Sequence, residues 1–360
     1  FVFLDSLFTP YPFMQEQYGH ARFGWPGGME HQTISFVGSY NYELLVHELA
    51  HQWFGDWITC GSWQDLWLNE GFATYLSGLA YERFYKEKYW GQFLQVREER
   101  ILSQPDGSVF RSDTASVASL FDVRLTYFKA AWVLHQLRWV IGDAAFFAGC
   151  RGYLNDPALQ GGYATTDDLQ YHMEQASGVD LGEFFSDWVY GEGYPHYRIE
   201  WSQKGNQVQL ALVQTTSHPS VDLYEMPVPL TLVSANSDTT VVIDQQQPVQ
   251  NTTVLWDQPV EDIYFDPENW LLGNSTVVAI PPDELPFIVI PIGGGLYQVA
   301  SRRSDRPLSR LAVYAANGQL VWSLPSPTRL TTVDLSTQSE GVYILEGSTA
   351  TQRWTQRLLR

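Results

Sequence analysis

The sequence is poor in cysteine, in basic residues and in long apolar runs. Its 2 cysteines, Cys60 and Cys150, permit at most one disulfide, so disulfides provide no framework for the fold. Only 21 lysines and arginines stand against 40 aspartates and glutamates, and the net charge of −19 argues against nucleic acid or an anionic membrane as a partner. The apolar runs are far shorter than the ~20 residues needed to cross a bilayer, so no transmembrane segment is expected.

What the sequence does contain is typical of a globular protein. Apolar residues make up 44% and aromatic residues 15% of 360 positions, which is enough for a large core and for two or three domains. The apolar residues 1–4 have no basic segment before them and no small-residue cleavage site after them, unlike a signal peptide. We therefore expect the chain to begin inside a longer protein.

A buried helix is predicted for residues 42–54, which lack glycine and proline and carry apolar residues at helical intervals. Within it, His47 and His51 are four residues apart, so their Cβ atoms lie on one face about 5–6 Å apart. Two imidazoles in this arrangement can bind one Zn²⁺. Glu48 points about 100° away from His47, which is unsuitable for a ligand of the same turn but suits a general base acting on water.

A third ligand is predicted in the next helix, where Glu70 follows His51 after 18 intervening residues. The pattern Ser62-x-x-Asp65 is typical of a helix start, and Glu70 lies one turn into the helix that follows. Two histidines and one carboxylate leave the fourth position of a zinc ion open, as catalytic sites do and structural sites do not. The spacing therefore predicts one catalytic Zn²⁺ per chain.

The residues around these ligands resemble the M1 aminopeptidases, the gluzincin group that includes leukotriene A4 hydrolase. The resemblance is carried by His-Glu-Leu-Ala-His-Gln-Trp-Phe-Gly-Asp at residues 47–56 and by Trp-x-Asp-Leu-Trp-Leu-Asn-Glu-Gly-Phe-Ala at residues 63–73, and it extends over residues 1 to about 197. It implies a thermolysin-like catalytic domain with a small sheet and a helical half. Family members place a β-rich domain before the catalytic one, and no segment of this sequence corresponds to it.

The resemblance also implies a substrate-binding motif upstream of the zinc ligands. The segment Gly27-Gly28-Met29-Glu30-His31 is similar to the family's Gly-x-Met-Glu-Asn exopeptidase motif. There the glutamate carboxylate meets the free α-ammonium of a peptide, and the glycines let the substrate backbone approach closely. His31 stands where the family usually has asparagine, a departure that concerns substrate positioning rather than zinc chemistry.

Downstream, a catalytic tyrosine is implied at Tyr127. The segment Tyr127-Phe128-Lys129-Ala130-Ala131 resembles the one that carries this residue in the family. Its hydroxyl would donate a hydrogen bond to the oxyanion, a role typically worth ~2.7–4 kcal/mol in acyl transfer. Without the resemblance, Tyr127 would be one of 20 tyrosines, most of which are expected to pack in the core.

The pattern of the chain predicts an α+β protein. Residues 29–37 alternate as an edge strand of the thermolysin-like sheet does, and residues 79–188 are helical in pattern, with a helix start at Thr165-x-x-Asp168. Beyond residue 197, period-two alternation predicts strands. The predicted parts are a thermolysin-like zinc peptidase domain at 1–197, a β-sandwich at 198–275, a proline-rich linker at 276–287 and a second β-sandwich at 288–360.

The last of these parts resembles the C-terminal sorting domain of proteins exported by the type IX secretion system of Bacteroidota. Strands are predicted within residues 311–322, 332–336 and 341–345, followed by a basic end at 353–360. A clear Pro-Asn-Pro entry motif is missing, and the last residue is Arg360 where lysine is common. The resemblance implies the type IX machinery as a partner and a secreted or cell-surface location reached through the periplasm; an ordinary accessory β-sandwich is the alternative.

Together these features predict a zinc-dependent aminopeptidase that removes N-terminal residues from peptides, with Glu48 as general base. A hypothesis from another class is a binding or surface-scaffold protein with a vestigial catalytic domain, against which the intact ligands, base and tyrosine argue. Among enzymes, a thermolysin-like endopeptidase is disfavoured by Glu30. Epoxide hydrolysis stays open as a side activity.

Overall fold

The computed structural model describes residues 1–281, 287–301, 308–328, 330–349 and 353–360. Contacts within the chain divide it into two units. The first comprises Phe1–Pro195, Thr216–Met226 and Glu268–Asn274, and the second comprises His196–Thr215, Pro227–Pro267 and Ser275–Arg360. Two segments beyond residue 197 thus belong to the first unit, and the two predicted β-sandwiches fall in one unit. The predicted domain limits stay a prediction.

The first unit is mainly helical, as the pattern of residues 79–188 predicts. Its helices are α1 Val2–Leu7, α2 Tyr42–Ala50, α3 Trp67–Tyr85, α4 Gly91–Ile101, α5 Val117–Leu120, α6 Ala130–Ile141, α7 Asp143–Asn155, α8 Thr166–Ser177 and α9 Gly182–Phe185. Wider π-helical turns occur at Lys86–Trp90, Val123–Lys129 and Ser186–Tyr190. Within the described ranges, no helix has the length and apolar character needed to cross a membrane.

A small three-stranded sheet precedes α2. Its strands β1 Gly19–Arg22, β2 Gly28–Met29 and β3 Ile34–Val37 are ordered β1-β3-β2, with β1 and β3 parallel and β2 and β3 antiparallel. The prediction of one edge strand over residues 29–37 is wrong in this respect: β3 is central, and a turn with Thr33 at φ 66° separates it from β2. Alternation alone did not reveal that turn, because it also continues through short turns.

Helix α2 begins where the sequence predicts and ends earlier. The Asn41 side chain accepts hydrogen bonds from the backbone N–H groups of Glu43 and Leu44, at 2.9 and 3.3 Å, and thereby caps the helix. Past Ala50 the chain tightens, since the N–H of Trp53 bonds to the carbonyl of Ala50, three residues back, at 3.1 Å. The helix predicted to residue 54 is therefore four residues shorter.

Helix α3 is buried along most of its length, from Trp67 to Ala80. Its Phe72 ring stacks on Phe54 with ring centroids 3.9 Å apart. Ser62 does not cap this helix, contrary to the prediction; Ser62 and Asp65 instead form a short 3-10 turn, and the Asp65 carboxylate accepts hydrogen bonds from the backbone and hydroxyl of Thr166 at 3.1 and 2.7 Å. That carboxylate is therefore occupied by α8.

The helix start predicted at Thr165-x-x-Asp168 is confirmed. The N-terminus of α8 has a capping box, with Asp168 accepting from the N–H of Thr165 at 2.8 Å. Strands β4 Ile58–Cys60 and β5 Gly162–Ala164 pair in parallel beside α3. The two cysteines are free thiols.

The second unit consists of strands. The first group is β6 Pro195–Lys204, β7 Gln207–Thr216, β8 Met226–Val233, β9 Asp238–Gln245, β10 Val249–Leu255, β11 Asp262–Phe265 and β12 Asn274–Ala279, in sheets ordered β10-β7-β6-β12 and β11-β8-β9. The second group is β13 Phe287–Gly293, β14 Leu296–Ser301, β15 Arg310–Ala315, β16 Leu320–Pro325, β17 Leu330–Asp334, β18 Val342–Ser348 and β19 Arg353–Leu359, in sheets ordered β13-β14-β17 and β16-β15-β18-β19.

The two groups of strands share an apolar cluster. Ala211 and Val213 of β7 pack in it with Ile288 and Ile290 of β13. The predicted linker at 276–287 is correspondingly shorter, because residues 276–279 belong to β12 and Phe287 belongs to β13. Residues 282–286 of that prediction lie outside the described residues.

The packing of α3 on α6 leads to a stability prediction at Gly71, the neighbour of Glu70. A Cβ at Gly71 would lie 2.7 Å from the Ala130 Cβ and 3.3 Å from the Ala130 backbone carbon, whereas a Cβ at Gly91 would meet nothing within 4 Å. Gly71→Ala should therefore lower the free energy of unfolding by about 1–3 kcal/mol. Gly91→Ala, the matched control, should be neutral or slightly stabilising. Urea midpoints followed by tryptophan fluorescence check this, and equal midpoints for Gly71→Ala and the wild type would contradict it.

Candidate metal centre

The centre is built first by α2 and its C-cap residue: His47 lies in the helix, and His51 follows it with helical backbone angles, so the two histidines share one face. His47 and His51 are four residues apart, and their Nε2 atoms lie 3.1 Å from each other. His51 is 1% exposed, and the His47 side chain is 15% exposed. Two ring nitrogens at this separation, both aimed at one point, suit a shared cation.

Helix α3 adds the third group. The Glu70 Oε2 atom lies 3.2 Å from His47 Nε2 and 3.4 Å from His51 Nε2. Four ligands held tetrahedrally at about 2.0–2.1 Å from zinc stand about 3.3–3.4 Å apart. The three separations in the structure, 3.1 to 3.4 Å, are close to this value. The donor set and its spacing therefore fit a zinc ion with one open position.

The orientation of the His51 ring is fixed by a hydrogen bond at its other nitrogen, Nδ1. Its Nδ1 lies 3.1 Å from the carbonyl oxygen of Phe54 and donates to it, which leaves Nε2 for a metal. The backbone reaches this position through Gly55, whose φ is +147° and where a Cβ would lie 3.1 Å from Nδ1 of His51. A side chain at Gly55 would thus press on the ligand.

The charges of the centre also favour a cation. Burial on its own would raise the pKa of Glu70, but hydrogen bonds from His47 and His51 hold it well below the usual range. Burial lowers the pKa of His47, whereas for His51 burial is outweighed by the carboxylates of Glu30 and Glu70, which raise the pKa to about 10. Once a metal displaces the extra ring proton of His51, the ionised carboxylate and the two imidazoles offer three donors to it.

Glu48 faces the same space without joining the three ligands. Its residue is 3% exposed, and its Oε2 atom is buried with no hydrogen-bond partner in the described part of the chain. Burial raises its pKa to about 8, with Glu30 adding to the shift. A buried carboxylate with an unpaired oxygen is suited to receive a proton from water.

Gly28 leaves room for Glu48, in addition to its predicted contact with the substrate. A Cβ at Gly28 would lie 2.1 Å from Oε1 of Glu48, so the missing side chain makes room for the Glu48 carboxylate. Gly27 has φ +87° and open space around it. Both glycines line the cleft, and their predicted contact with the substrate backbone stays a prediction.

Glu30 is held next to the centre by a residue that the sequence did not single out. One carboxylate oxygen of Glu30 lies within 4.8 Å of donor atoms of Glu48 and His51. The buried Gln52 donates to the Glu30 carbonyl at 3.2 Å and accepts from the N–H of Thr33 at 2.9 Å. Gln52 follows His51 directly and belongs to the motif at residues 47–56, and this position in the motif is a signal that could have identified it.

Tyr127 lies beside His47, in the π-helical turn Val123–Lys129, whose cap Asp122 accepts from two backbone N–H groups. The Tyr127 and His47 rings are nearly parallel, at 22°, with centroids 6.1 Å apart. Burial and the neighbouring Glu70 carboxylate raise the pKa of Tyr127 well above its usual value. Its hydroxyl therefore keeps its proton and can act as a donor, and π-helical turns often occur at functional sites.

These groups surround a cleft of about 450 Å³. Its lining residues are Pro26, Gly27, Gly28, Glu30, Asn41, Glu43, Leu44, His47, Glu48, His51, Glu70, Thr74, Arg97, Tyr127 and Phe128. The structure does not bring Met29 and His31 into this lining: Met29 is 39% exposed, and the His31 ring packs edge-on against Phe36 with centroids 5.1 Å apart. Their predicted substrate contacts stay a prediction.

Comparison with known proteins identifies the region around this centre. Residues 31–188 match the model of the peptidase family M1 domain. The chain is 34% identical over 181 residues to probable aminopeptidase 2 of Sulfurisphaera tokodaii, 28% identical over 228 residues to leucyl aminopeptidase of Saccharolobus solfataricus, and 32% identical over 186 residues to glutamyl aminopeptidase of Bitis rhinoceros. These matches cover 46%, 61% and 49% of this chain. They cover 22%, 28% and 19% of the relatives' own lengths.

A solved structure shares the fold. The crystal structure of Legionella pneumophila aminopeptidase A in complex with aspartic acid matches with a TM-score of 0.58 and 18% sequence identity, over 71% of this chain and 31% of the other. The fold and the site together define a metallopeptidase domain. Over residues 31–188 the chain is similar to the peptidase family M1 domain, and its matches span less than a third of the length of these three relatives.

The centre leads to a prediction that separates two possible metal sites. Besides His47, His51 and Glu70, a second group formed by Glu30, Glu48 and His51 brings donor atoms within 4.8 Å of one another. Since His51 belongs to both groups, one zinc per chain is expected. His47→Ala should lose stoichiometric zinc on dialysis, because it removes a ligand of the first group only. Glu30→Gln, its counterpart in the second group, should keep one zinc.

Metal content by mass spectrometry after dialysis checks this prediction. Retention of zinc by His47→Ala together with loss from Glu30→Gln would place the ion in the second group instead.

Proposed function

We propose that the chain is a zinc-dependent aminopeptidase that removes N-terminal residues from peptides with a free amine. The observation that carries this proposal is the position of Glu30, whose carboxylate lies within 4.8 Å of donor atoms of Glu48 and His51. A carboxylate there can hold an α-ammonium while the first peptide bond lies at the metal centre. The three relatives reported above are named as aminopeptidases, which supports the same activity.

His47, His51 and Glu70 would hold the zinc ion. When bound, zinc would polarise the scissile carbonyl and make the attacking water more acidic. Glu48 takes a proton from this water at its unpaired Oε2 atom and passes it to the nitrogen of the leaving peptide. The buried position of Glu48 keeps other water away from this carboxylate.

Tyr127 and Glu30 position the reacting groups. The protonated Tyr127 hydroxyl donates a hydrogen bond to the carbonyl oxygen as negative charge develops on it. Glu30 limits cleavage to the first residue, because a peptide that runs past this point has no ammonium for the carboxylate and would leave it unpaired. A thermolysin-like endopeptidase does not require a carboxylate that binds the α-ammonium. A scaffold with a vestigial catalytic domain does not require intact metal ligands.

For the C-terminal strands β13–β19 we propose a role in export by a type IX secretion system. The support is the resemblance of residues 288–360 to sorting domains and their basic last strand, with Arg353 and Arg357 on β19. The protein would then act outside the cytoplasm, in the medium or at the cell surface of a Bacteroidota-type bacterium.

The aminopeptidase proposal is tested at Glu30. Glu30→Ala should lower kcat/KM on free-amine substrates by about 10- to 100-fold, since a charge-assisted contact is worth ~1.5–3 kcal/mol and ~1.4 kcal/mol corresponds to tenfold. The variant should also lose much of the preference for free over N-acetylated substrates that the wild type shows. The matched control is Glu16→Ala, an exposed glutamate outside the cleft, which should behave as the wild type.

The assay compares a panel of aminoacyl chromogenic substrates with one acetylated counterpart, in the complete protein. An equal loss on free and acetylated substrates would assign Glu30 a structural role. Cleavage of acetylated peptides by the wild type at internal bonds would favour an endopeptidase.

The export proposal is tested by deleting residues 288–360 in a type IX host. The shortened protein should accumulate in the periplasm and disappear from the medium, because the proposed sorting signal is gone. Deletion uncovers the apolar cluster that β7 shares with β13, so the periplasmic amount must be measured to separate failed export from loss of protein. Normal yield in the medium would show that these strands are an accessory β-sandwich.

A further inference from the structure

A second charged group lines the cleft beyond the metal ligands. Glu43 precedes His47 by four residues on α2, and His47 precedes His51 by four, so the three side chains form one stripe along the helix. Glu30 lies at the His51 end of this stripe, within 4.8 Å of His51. The metal centre is therefore placed between two carboxylates, Glu30 at one end and Glu43 at the other.

Arg97 of α4 holds Glu43 in place. Its guanidinium donates from Nη1 to the carbonyl of Phe93 at 3.0 Å and forms an ion pair from Nη2 with Oε1 of Glu43. One face lies 3.4 Å from the centroid of the Phe93 ring, and the Phe128 ring is 4.9 Å away. With a side chain only 5% exposed, Arg97 has little surface to offer to a substrate.

Of the two residues in the Glu43–Arg97 ion pair, Glu43 is the more exposed. Its side chain is 39% exposed, against 5% for Arg97, and it lines the cleft. Oε1 is taken by Arg97, and Oε2 has no bond to any residue in the described ranges. The Asn41 cap fixes the backbone of Glu43. A carboxylate held on one side by an arginine and open on the other is prepared to bind a cation at low entropic cost.

We propose that Glu43, positioned by Arg97, selects peptides whose second residue is lysine or arginine. This inference rests on the proposed function, because the α-ammonium at Glu30 sets the direction of the peptide. The first residue then lies at the Glu30 end and the scissile bond at the metal centre. The residue that leaves continues towards Glu43, where a lysine ammonium or arginine guanidinium can pair with the carboxylate.

The charges of the cleft support this direction of selectivity. Four carboxylates, those of Glu30, Glu43, Glu48 and Glu70, line it together with Arg97, which is already paired. An acidic second residue would meet Glu43 as a like charge, and repulsion is the usual means of rejecting a wrong partner. Peptides with glutamate at the second position should therefore be the poorest of the series.

The test compares three peptide amides that differ only at the second residue: Ala-Lys-Ala, Ala-(Nε-acetyl-Lys)-Ala and Ala-Glu-Ala. Acetylation removes the charge while keeping the length of the side chain. The wild type should prefer lysine over acetyl-lysine by about 3- to 10-fold in kcat/KM, because an ion pair with a partly exposed carboxylate is of modest strength. Glu43→Gln, which keeps an oxygen for Arg97, should reduce this ratio to within about twofold.

The matched control is Glu99→Gln on α4, which removes the same charge at an exposed position outside the cleft. It should keep the wild-type ratio. If it lowers the ratio as much as Glu43→Gln does, the selectivity comes from the overall negative charge and the proposal is wrong.

A binding measurement separates this inference from the proposed function. Calorimetry with the Glu48→Gln protein, loaded with zinc, measures the affinity for the three peptides without turnover. If the lysine peptide binds more tightly by a similar factor and the Glu43→Gln/Glu48→Gln double variant loses this difference, the inference is supported. This holds even if the wild type hydrolyses no peptide, because absence of hydrolysis would contradict only the aminopeptidase proposal. Equal binding of lysine and acetyl-lysine peptides, or binding of neither, overturns the inference. If Glu43→Gln does not fold, the comparison of lysine and acetyl-lysine peptides in the Glu48→Gln protein, which keeps Glu43, still tests the inference.

Discussion

Three donor atoms from two helices meet within 3.4 Å of one another, and the rest of the centre is arranged around them. Two of them are imidazole nitrogens, of His47 on α2 and of His51 at its C-cap, and the third is a carboxylate oxygen of Glu70 on α3. Removing these polar groups from water into a buried site costs free energy unless a cation binds between them. The packing of α3 against α2 and α6 holds the carboxylate in position, and Gly71 allows α6 to approach closely.

The same convergence explains why the surrounding residues have unusual conformations. Glycines at 28 and 55 lack the side chains that would collide with Glu48 and His51. The π-helical turn at Val123–Lys129 brings the Tyr127 ring beside His47. Gln52 ties the loop before β3 to the end of α2, so Glu30 is held from the same helix that carries the histidines.

Much of the site follows from local sequence, because its central residues are close in the chain. The spacing of His47 and His51 on one helix predicts their convergence, and the helix predicted after Asp65 supplies Glu70 as the third ligand. The resemblance to a known family adds Glu30 and Tyr127. Contacts between distant segments were not predictable in this way. The Arg97–Glu43 pair joins residues on different helices, and no periodicity links them.

The fold shows the same limit. Alternation predicted many strands of the second unit, but it missed β13 and β14. It also did not predict that Ala211 of β7 and Ile288 of β13 share one apolar cluster. The Ser62-x-x-Asp65 pattern predicted a helix cap, yet Asp65 binds Thr166, about one hundred residues later in the chain. In both cases a tertiary contact took a group whose local pattern suggested another use.

The most direct measurement is kcat on a free-amine substrate for Glu48→Gln, with the zinc content determined on the same sample. Glutamine has nearly the same shape but cannot accept the proton, so the variant should keep one zinc per chain and lose about 100-fold or more of its turnover. Turnover close to the wild type at full zinc content would show that the buried carboxylate of Glu48 is not the base at this centre.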